Sequence, residues 1–415
     1  MRSFTFCLLS DEEYASFWEA SPQRNFLNSP EAAALRRKEN WQVELPAVRE
    51  NGRIVCASLL ASSTVMKIYR YYYGQRGFLV DYSDQELLAF YVEHLKEYLH
   101  AHKGLYLMIN PYVLYRERDI SGDLVPDGFD HSYVISNLEK LGFIHQPFIN
   151  YYDGGEPQWM FSMNLEGRDE AGVLKNMAQQ TRWSVRRTEK TGIQVRKLTR
   201  DEMNIFIEME KETGKRRNFA IRDTEFYCRQ ADAYGAHEKV LAAYLDIESY
   251  LKNLSDARRD MEKEKAEIDQ VLTEHPSRKY QKRQRVLREA IDLNENNRKD
   301  AQHLQAKYGR IIYMAASVFM VYSNEITYLF SATHDEFRKF YAPYAIQWYI
   351  IRYAIKHHIP RYNFYGISGN FDKSAADYGI YTFKKGFGGQ VEQLVGKFIL
   401  PIRPAVYKMY TKLKK

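Results

Sequence analysis

Cysteine is scarce, with three residues in 415, at positions 7, 56 and 228, and no C-x-x-C pair. An odd count without paired spacing indicates neither a disulfide framework nor a zinc site, so the chain reads as cytosolic. Long apolar runs are also missing. The longest, Ile311 to Tyr322, has twelve residues, short of the roughly 20 that a membrane-spanning helix needs. At the start of the chain, apolar Phe4 to Leu9 runs directly into Asp11, Glu12 and Glu13, a pattern too short and too acidic for an export signal. The common catalytic signatures are absent too: there is no Walker loop, G-x-S-x-G elbow, H-E-x-x-H or dinucleotide fingerprint. No glycine-rich loop offers backbone donors to the pyrophosphate of coenzyme A, which points to an acyl donor of another kind.

Hydrophobic residues make up 45% of the chain, enough for real cores, and the length suggests two or three domains at about 150 residues each. Tyrosine is abundant, 33 against 5 tryptophans, and tyrosines line binding grooves as readily as they fill cores. The formal charge of +7 favours phosphate-bearing partners or an anionic membrane surface, although an ordinary soluble enzyme can also carry it.

Residues 53 to 60 and 66 to 73 read as strands, followed by the turn-rich Gly74 to Gly77. Ser83 is the expected cap of a helix running to about Lys103. Along it Leu87, Phe90, Tyr91, His94, Leu95 and Tyr98 fall at helical spacing, and Gly104 stops it. A buried strand, Leu105 to Ile109, comes next. Tyr133 to Leu141 reads as a further helix, ended by Gly142. A comparable unit recurs later, with strands Ile311 to Tyr322 and Ile326 to Ser331, a helix over Glu336 to His357 and a strand Arg361 to Gly366. Two similar units imply a duplicated mixed-sheet α/β fold.

Between the units, residues 246 to 308 carry a heptad seam of Ile247, Tyr250, Leu254, Ala257, Met261, Glu264, Ile268 and Val271, broken only by Glu264. His275, Pro276 and Ser277 interrupt it, and a weaker seam of Leu287, Ala290, Ala301 and Leu304 returns. This predicts an antiparallel helical hairpin reaching about 40 Å. A spacer or dimerisation arm is the plain reading. The acid-free block Arg278, Lys279, Lys282, Arg283, Arg285 and Arg288 favours RNA contact. Arg182, Arg186 and Lys190 form a second cationic stripe, equally readable as a solvated helix face. Lys215, Arg216 and Arg217 follow Gly214 where a helix from about Asp201 should end, and cations there also complement a helix C-terminus.

Several segments together resemble the Fem family of aminoacyl-tRNA-dependent transferases. They are Asn25-Phe26-Leu27-Asn28-Ser29-Pro30 leading to Lys38-x-x-Trp41, the run Thr213 to Arg222, and Tyr381-Thr382-Phe383-Lys384-Lys385-Gly386-Phe387, which looks like an F-K-x-x-F element. The arm lies where many family members insert one. The resemblance implies two acetyltransferase-like (GNAT-like) domains, residues 1–153 plus 397–415 and residues 154–245 plus 309–396, with the arm at 246–308. It also implies transfer of an amino acid from aminoacyl-tRNA, without a further cofactor, to an amine of a lipid-linked peptidoglycan precursor at the inner membrane face, by a cytoplasmic, peripherally bound monomer. Lys38 and Arg216 become phosphate-binding candidates with Trp41 beside them, and Phe383 and Lys384 are placed near the reacting acyl group. Without that context Lys384 reads as an exposed lysine at a strand end.

One departure stands out: some relatives carry an acidic residue where this chain has Asn110, and Asn110 is no general base. A lysine amine with a pKa of about 10.4 is free in roughly 1 molecule in 2,500 at pH 7, so deprotonation must come from elsewhere. Gly154-Gly155-Glu156-Pro157 and Lys339-Phe340-Tyr341-Ala342-Pro343 look most like the MurN branch, which adds the second bridge residue, commonly alanine, with MurM-like first addition of serine or alanine beside it. Two other readings remain: an N-acyltransferase using acyl-CoA, and a non-catalytic tRNA-binding coiled-coil adaptor.

Overall fold

The computed structural model describes residues 2–152, 155–217 and 221–413, the side chains of Arg216 and Arg217 excepted. In chain order the first part comprises β1 (Phe4–Leu8), α1 (Asp11–Ala20), α2 (Pro30–Lys38), β2 (Gln42–Glu44), β3 (Pro46–Glu50), β4 (Arg53–Ala57), β5 (Leu60–Val65), β6 (Tyr69–Gly74), α3 (Gln85–Ala101), β7 (Gly104–Ile109), α4 (Tyr133–Lys140) and β8 (Ile144–His145). The second comprises β9 (Trp159–Asn164), α5 (Glu170–Asn176), α6 (Gln179–Thr191), β10 (Gln194–Lys197), α7 (Met203–Arg217), α8 (Thr224–Tyr234) and β11 (Glu238–Asp246), then the long helices α9 (Ile247–Glu274) and α10 (Arg278–Tyr308). It continues through β12 (Ile311–Val321), β13 (Ile326–Thr333), α11 (Ala342–Lys356), β14 (Arg361–Ile367), α12 (Tyr378–Gly386), β15 (Gln390–Gln393), β16 (Phe398–Pro401) and α13 (Pro404–Leu413).

Three sheets result, in the orders β1-β3-β4, β2-β5-β6-β7-β16-β8 and β10-β11-β12-β13-β14-β9-β15. The two larger ones share a motif. In each, a strand passes through a helix to a parallel partner, β6 through α3 to β7 and β13 through α11 to β14. The apolar face of α3, Leu88, Tyr91, Leu95 and Leu99, buries against Tyr72, Leu107 and Phe398. At about 25 cal/mol per Å2 such burial is the main stabilising term of each unit. Strand β16 returns from the far end of the sequence to lie antiparallel between β7 and β8.

Several boundaries differ from expectation. Asp84, not Ser83, caps α3 by accepting from Leu87 N at 3.1 Å, while Ser83 bonds Asp81. The 53–60 run splits, because Leu60 already belongs to β5. The helix expected from Glu336 is a 3-10 turn over Asp335–Phe340, broken at Tyr341 with φ of +56°, and α11 starts afresh with a proline in its first turn. Proline lacks the N–H that a continuous helix would use, so the break falls just before it. Helix α7 runs through Gly214 to Arg217.

The arm is the expected hairpin. At its base Ile247, Tyr250, Ala301 and Leu304 join the core of the second unit, and further out Ile268 and Leu287 are buried. Glu264, the seam breaker, is held by Arg283 across the hairpin at 2.6 and 2.7 Å. Ala257 is exposed, however, and at that level the helices are joined by Asn294 donating to Leu254 O at 3.0 Å and by the Arg258–Glu295 ion pair. Among the described residues, no helix is long and apolar enough to cross a membrane and no cluster of His, Cys, Asp or Glu could hold a metal ion.

Candidate active site

Three cavities meet around Gly155, Glu156 and Pro157. The first, about 650 Å3, is lined by Tyr328, Phe330, Tyr344, Tyr365, Phe383 and Lys384 among others. The second, about 310 Å3, includes Arg76, Asn110, Gln158 and Trp159. The third, about 800 Å3, includes Arg36, Lys38, Trp41, Gln75 and Arg222. Pro157 borders all three, and the carboxylate of Glu156 is held between the second and third by Tyr73 OH and Gln75 Nε2.

Lys384 lies on α12 and is buried at 6% exposure, so the strand-end reading is corrected. Its position follows from close packing: a Cβ on Gly386 two residues on would collide with the Thr181 hydroxyl of α6, and the glycine lets the two helices touch. Lys384 Nζ donates to Gly366 O at 2.5 Å and Tyr365 O at 3.3 Å. Those carbonyls are re-aimed by a bulge where β14 loses register against β9 between Asn363 and Gly366, with Tyr365 in the left-handed region at φ of +64°. An ammonium carries three N–H groups, and two are thus engaged, leaving one for the cavity. Burial pulls the amine down from 10.5 to about 7, with Asp377 opposing the shift. Asp377 also accepts from Ser368 N at 3.3 Å, so the carboxylate is fixed to the strand end. Phe383 packs on Tyr344 and Phe387 at centroid distances of 5.0 and 5.3 Å.

Lys38 and Trp41 lie at the end of α2, and the Asn25–Pro30 motif is what aims that helix. Asn25 caps a 3-10 turn, and Ser29 then caps α2 by accepting from Ala32 N at 3.2 Å, with Pro30 in the first turn. The last turn consequently presents Arg36, Arg37 and Lys38 at the negative end of the helix dipole. Arg36 stacks over Trp41 at 5.6 Å and donates to Gln75 Oε1 at 2.6 Å. The Arg216 side chain lies outside the described residues.

The arm cations Arg278, Lys279, Lys282, Arg283, Arg285 and Arg288 are exposed on α10 and line none of the three cavities; Arg283 is paired with Glu264. Arg182 and Arg186 border a separate surface hollow with Trp183 and Tyr341. Arg36, Arg76, Gln158 and Asp377 were not singled out from sequence, and Glu156 only as part of the Gly154 to Pro157 motif, with no role of its own. For Arg76 a signal was present in the Gly74 to Gly77 turn, where Arg76 itself takes φ of +60°.

A polar floor joins the two larger sheets below these cavities. Arg361 bridges buried Glu325 at 2.5 Å and Glu392 at 2.7 Å, and Tyr112 OH, from the segment after β7, donates to Glu325 at 2.7 Å. The carboxylates on either side hold the guanidinium charged against the cost of burial.

A lysine at the floor of a tyrosine-lined cavity, one short segment away from a cationic mouth, suits acyl transfer between two bulky partners. The model of the FemAB family matches residues 9–415, and the chain belongs to that family. Aminoacyltransferase FemA of Staphylococcus aureus strain bovine RF122 / ET3-1 is 31% identical over 413 residues, covering 99% of this chain and 98% of the relative, and FemA of strain MRSA252 matches equally. The crystal structure of FemX superposes with a TM-score of 0.79 at 24% identity, over 98% of this chain and 99% of that one. The protein is accordingly an aminoacyltransferase.

Proposed function

We propose that the enzyme moves an amino acid, alanine with serine or glycine as alternatives, from aminoacyl-tRNA to the stem-peptide amine or first bridge residue of a lipid-linked peptidoglycan precursor. Buried Lys384, with one donor left for the tyrosine-lined cavity, carries this reading. Amine attack on the tRNA ester makes a tetrahedral oxyanion, and a fixed N–H donor stabilises it more than the ground-state carbonyl. The new C–N bond forms, the ester C–O bond breaks, and the amine's proton leaves with the ribose oxygen. Asn110 accepts from Arg76 N at 2.8 Å and takes no proton. In this reading Lys38 and Arg216, with Arg36, hold the acceptor's phosphates beside Trp41.

No cofactor beyond aminoacyl-tRNA is called for. With the division into residues 1–153 plus 397–415 and 154–245 plus 309–396, the first unit contributes Lys38 and Trp41 to the acceptor mouth, and the second contributes Arg216, Arg222 and Lys384. Residues 246–308 act as the tRNA arm, and the likeness of Gly154-Gly155-Glu156-Pro157 and Lys339-Phe340-Tyr341-Ala342-Pro343 to the MurN branch favours second addition. The chain works as a monomer at the inner membrane face, where α13 offers exposed Lys408 and Lys412 with exposed Met409 and Leu413; Lys414 and Lys415 lie outside the described residues. The deciding experiment incubates the protein with charged tRNA or with acyl-CoA, adds lipid-linked muropeptide, and reads the mass gain. Gain with charged tRNA alone supports the proposal, and gain with acyl-CoA alone overturns it.

A further inference from the structure

Arg76 is 1% exposed, yet its Nε and Nη2 have no hydrogen-bond partner among the described residues. Leaving such donors unpaired in the interior is costly, the more so for a charged group, so the arrangement calls for a ligand. The backbone supports it at a price in strain: Arg76 sits at φ of +60°, pinned by its N–H to Asn110 Oδ1 at 2.8 Å and by its carbonyl, which accepts from Tyr112 N at 3.0 Å. Next to it Gly77 is irreplaceable, because a Cβ there would lie 2.7 Å from Pro111 Cα.

Nε and Nη2 form one edge of the guanidinium, the edge that grips a carboxylate through two parallel hydrogen bonds. Nη1 is already spent on Pro157 O at 3.2 Å. The same 310 Å3 cavity is lined by Gln158, whose oxygen accepts from Ile149 N at 3.3 Å and whose buried Nε2 is unpartnered. Asn110 also lines it, and with its oxygen committed to Arg76 only its amide nitrogen remains to donate. The carboxylate in the lining, Glu156, is already engaged by Tyr73 and Gln75. Tyr365, whose phenol lies against the Arg76 guanidinium, is pushed by burial up to about 12, with the charge of and a hydrogen bond from Arg76 opposing the shift, so it stays a neutral phenol that cannot neutralise the cation. Unpartnered donors beside a carboxylate that is already engaged mark an anion site, and its wall of Tyr152 and Pro157 is shared with the Lys384 cavity.

We propose that the cavity of Arg76, Asn110 and Gln158 binds a carboxylate of the acceptor peptide, anchoring it while its amine reaches Lys384. The proposal rests on the peptide-acceptor reading above. A stem peptide offers a C-terminal carboxylate and an internal glutamyl one, and the test separates them.

Acceptor KM and kcat are measured with a soluble stem pentapeptide, its C-terminal carboxamide and its internally amidated form. Calorimetric titration of the same three peptides without tRNA runs in parallel. One amidation is expected to raise KM and weaken binding about tenfold or more, with kcat little changed. Arg76→Lys should erase that preference. Gln158→Glu, which keeps an acceptor for Ile149 N and places a negative charge in the cavity, should also weaken binding of the free acid but not of the amide. It serves as the second variant if Arg76→Lys melts early. Equal binding of all three peptides, or preference retained in both folded variants, overturns the site. Absence of turnover with any acceptor, alongside selective binding of the acid, would instead overturn the transfer reading alone.

Discussion

At the scale of single residues, Lys384 makes the sharpest demands. With its amine near 7 it is about half protonated at neutral pH, and an oxyanion partner must be protonated. Turnover in the chemical step should therefore fall as pH rises above about 7, whereas a lysine acting as base would make it rise, and a single-turnover pH profile decides between them. Lys384→Ala should cost about 100- to 1000-fold in kcat. Stability moves the other way. The folded-state value lies below the ordinary 10.5, so between about pH 7 and 10 the native state binds fewer protons than the unfolded chain and stability rises with pH. Replacing the lysine by Met should remove that slope and raise the melting temperature at pH 7 while lowering kcat as much as the alanine does. Lys38→Ala and Arg36→Ala, which remove contacts held in ground and transition state alike, should raise acceptor KM and leave kcat nearly unchanged; the same holds for Arg216→Ala. In the polar floor, Arg361→Met strands two buried carboxylates and should destabilise the fold by about 3–5 kcal/mol, read by urea titration.

At the scale of elements, what could be read in advance depended on how local the determinant was. The arm and α3 were legible because their apolar spacing is self-contained. The break before α11 is marked by Pro343, but the left-handed Tyr341 that completes it is set by tertiary contacts, including its edge-on ring contact with Trp183 at 5.3 Å. The site divided in the same way. Lys38, Trp41, Phe383 and Lys384 were found through short motifs and do gather in two adjoining cavities. The roles of Arg76 and Glu156 are not legible in the sequence, because they come from partners 34 and 81–83 positions away. The arm yields its own test. Replacing residues 247–307 with a short linker should leave the sheets folded and weaken tRNA binding, while the intact protein's affinity should fall with salt in proportion to the phosphates neutralised. Unchanged binding and turnover in the deletion would return the arm to the role of spacer.

For the whole molecule, charge and exposed apolar groups at α13 predict reversible surface binding rather than insertion. Exposed Lys408 and Lys412 add roughly 1 kcal/mol each at an anionic bilayer, so cosedimentation with anionic vesicles should exceed that with neutral ones and disappear in high salt. Recovery entirely in the supernatant would refute this. The placing of β16 has a further consequence, in time rather than in space. Strand β7 leaves the ribosome early, but the strand that covers its free edge and carries β8 beyond it is made about 290 residues later. At about 5–20 residues per second that is on the order of tens of seconds during which Leu105, Leu107 and Ile109 belong to an open, apolar sheet edge. A nascent chain halted before Phe398 should therefore aggregate or engage chaperones more than the finished one, and the six-stranded sheet is among the last parts of the enzyme to close.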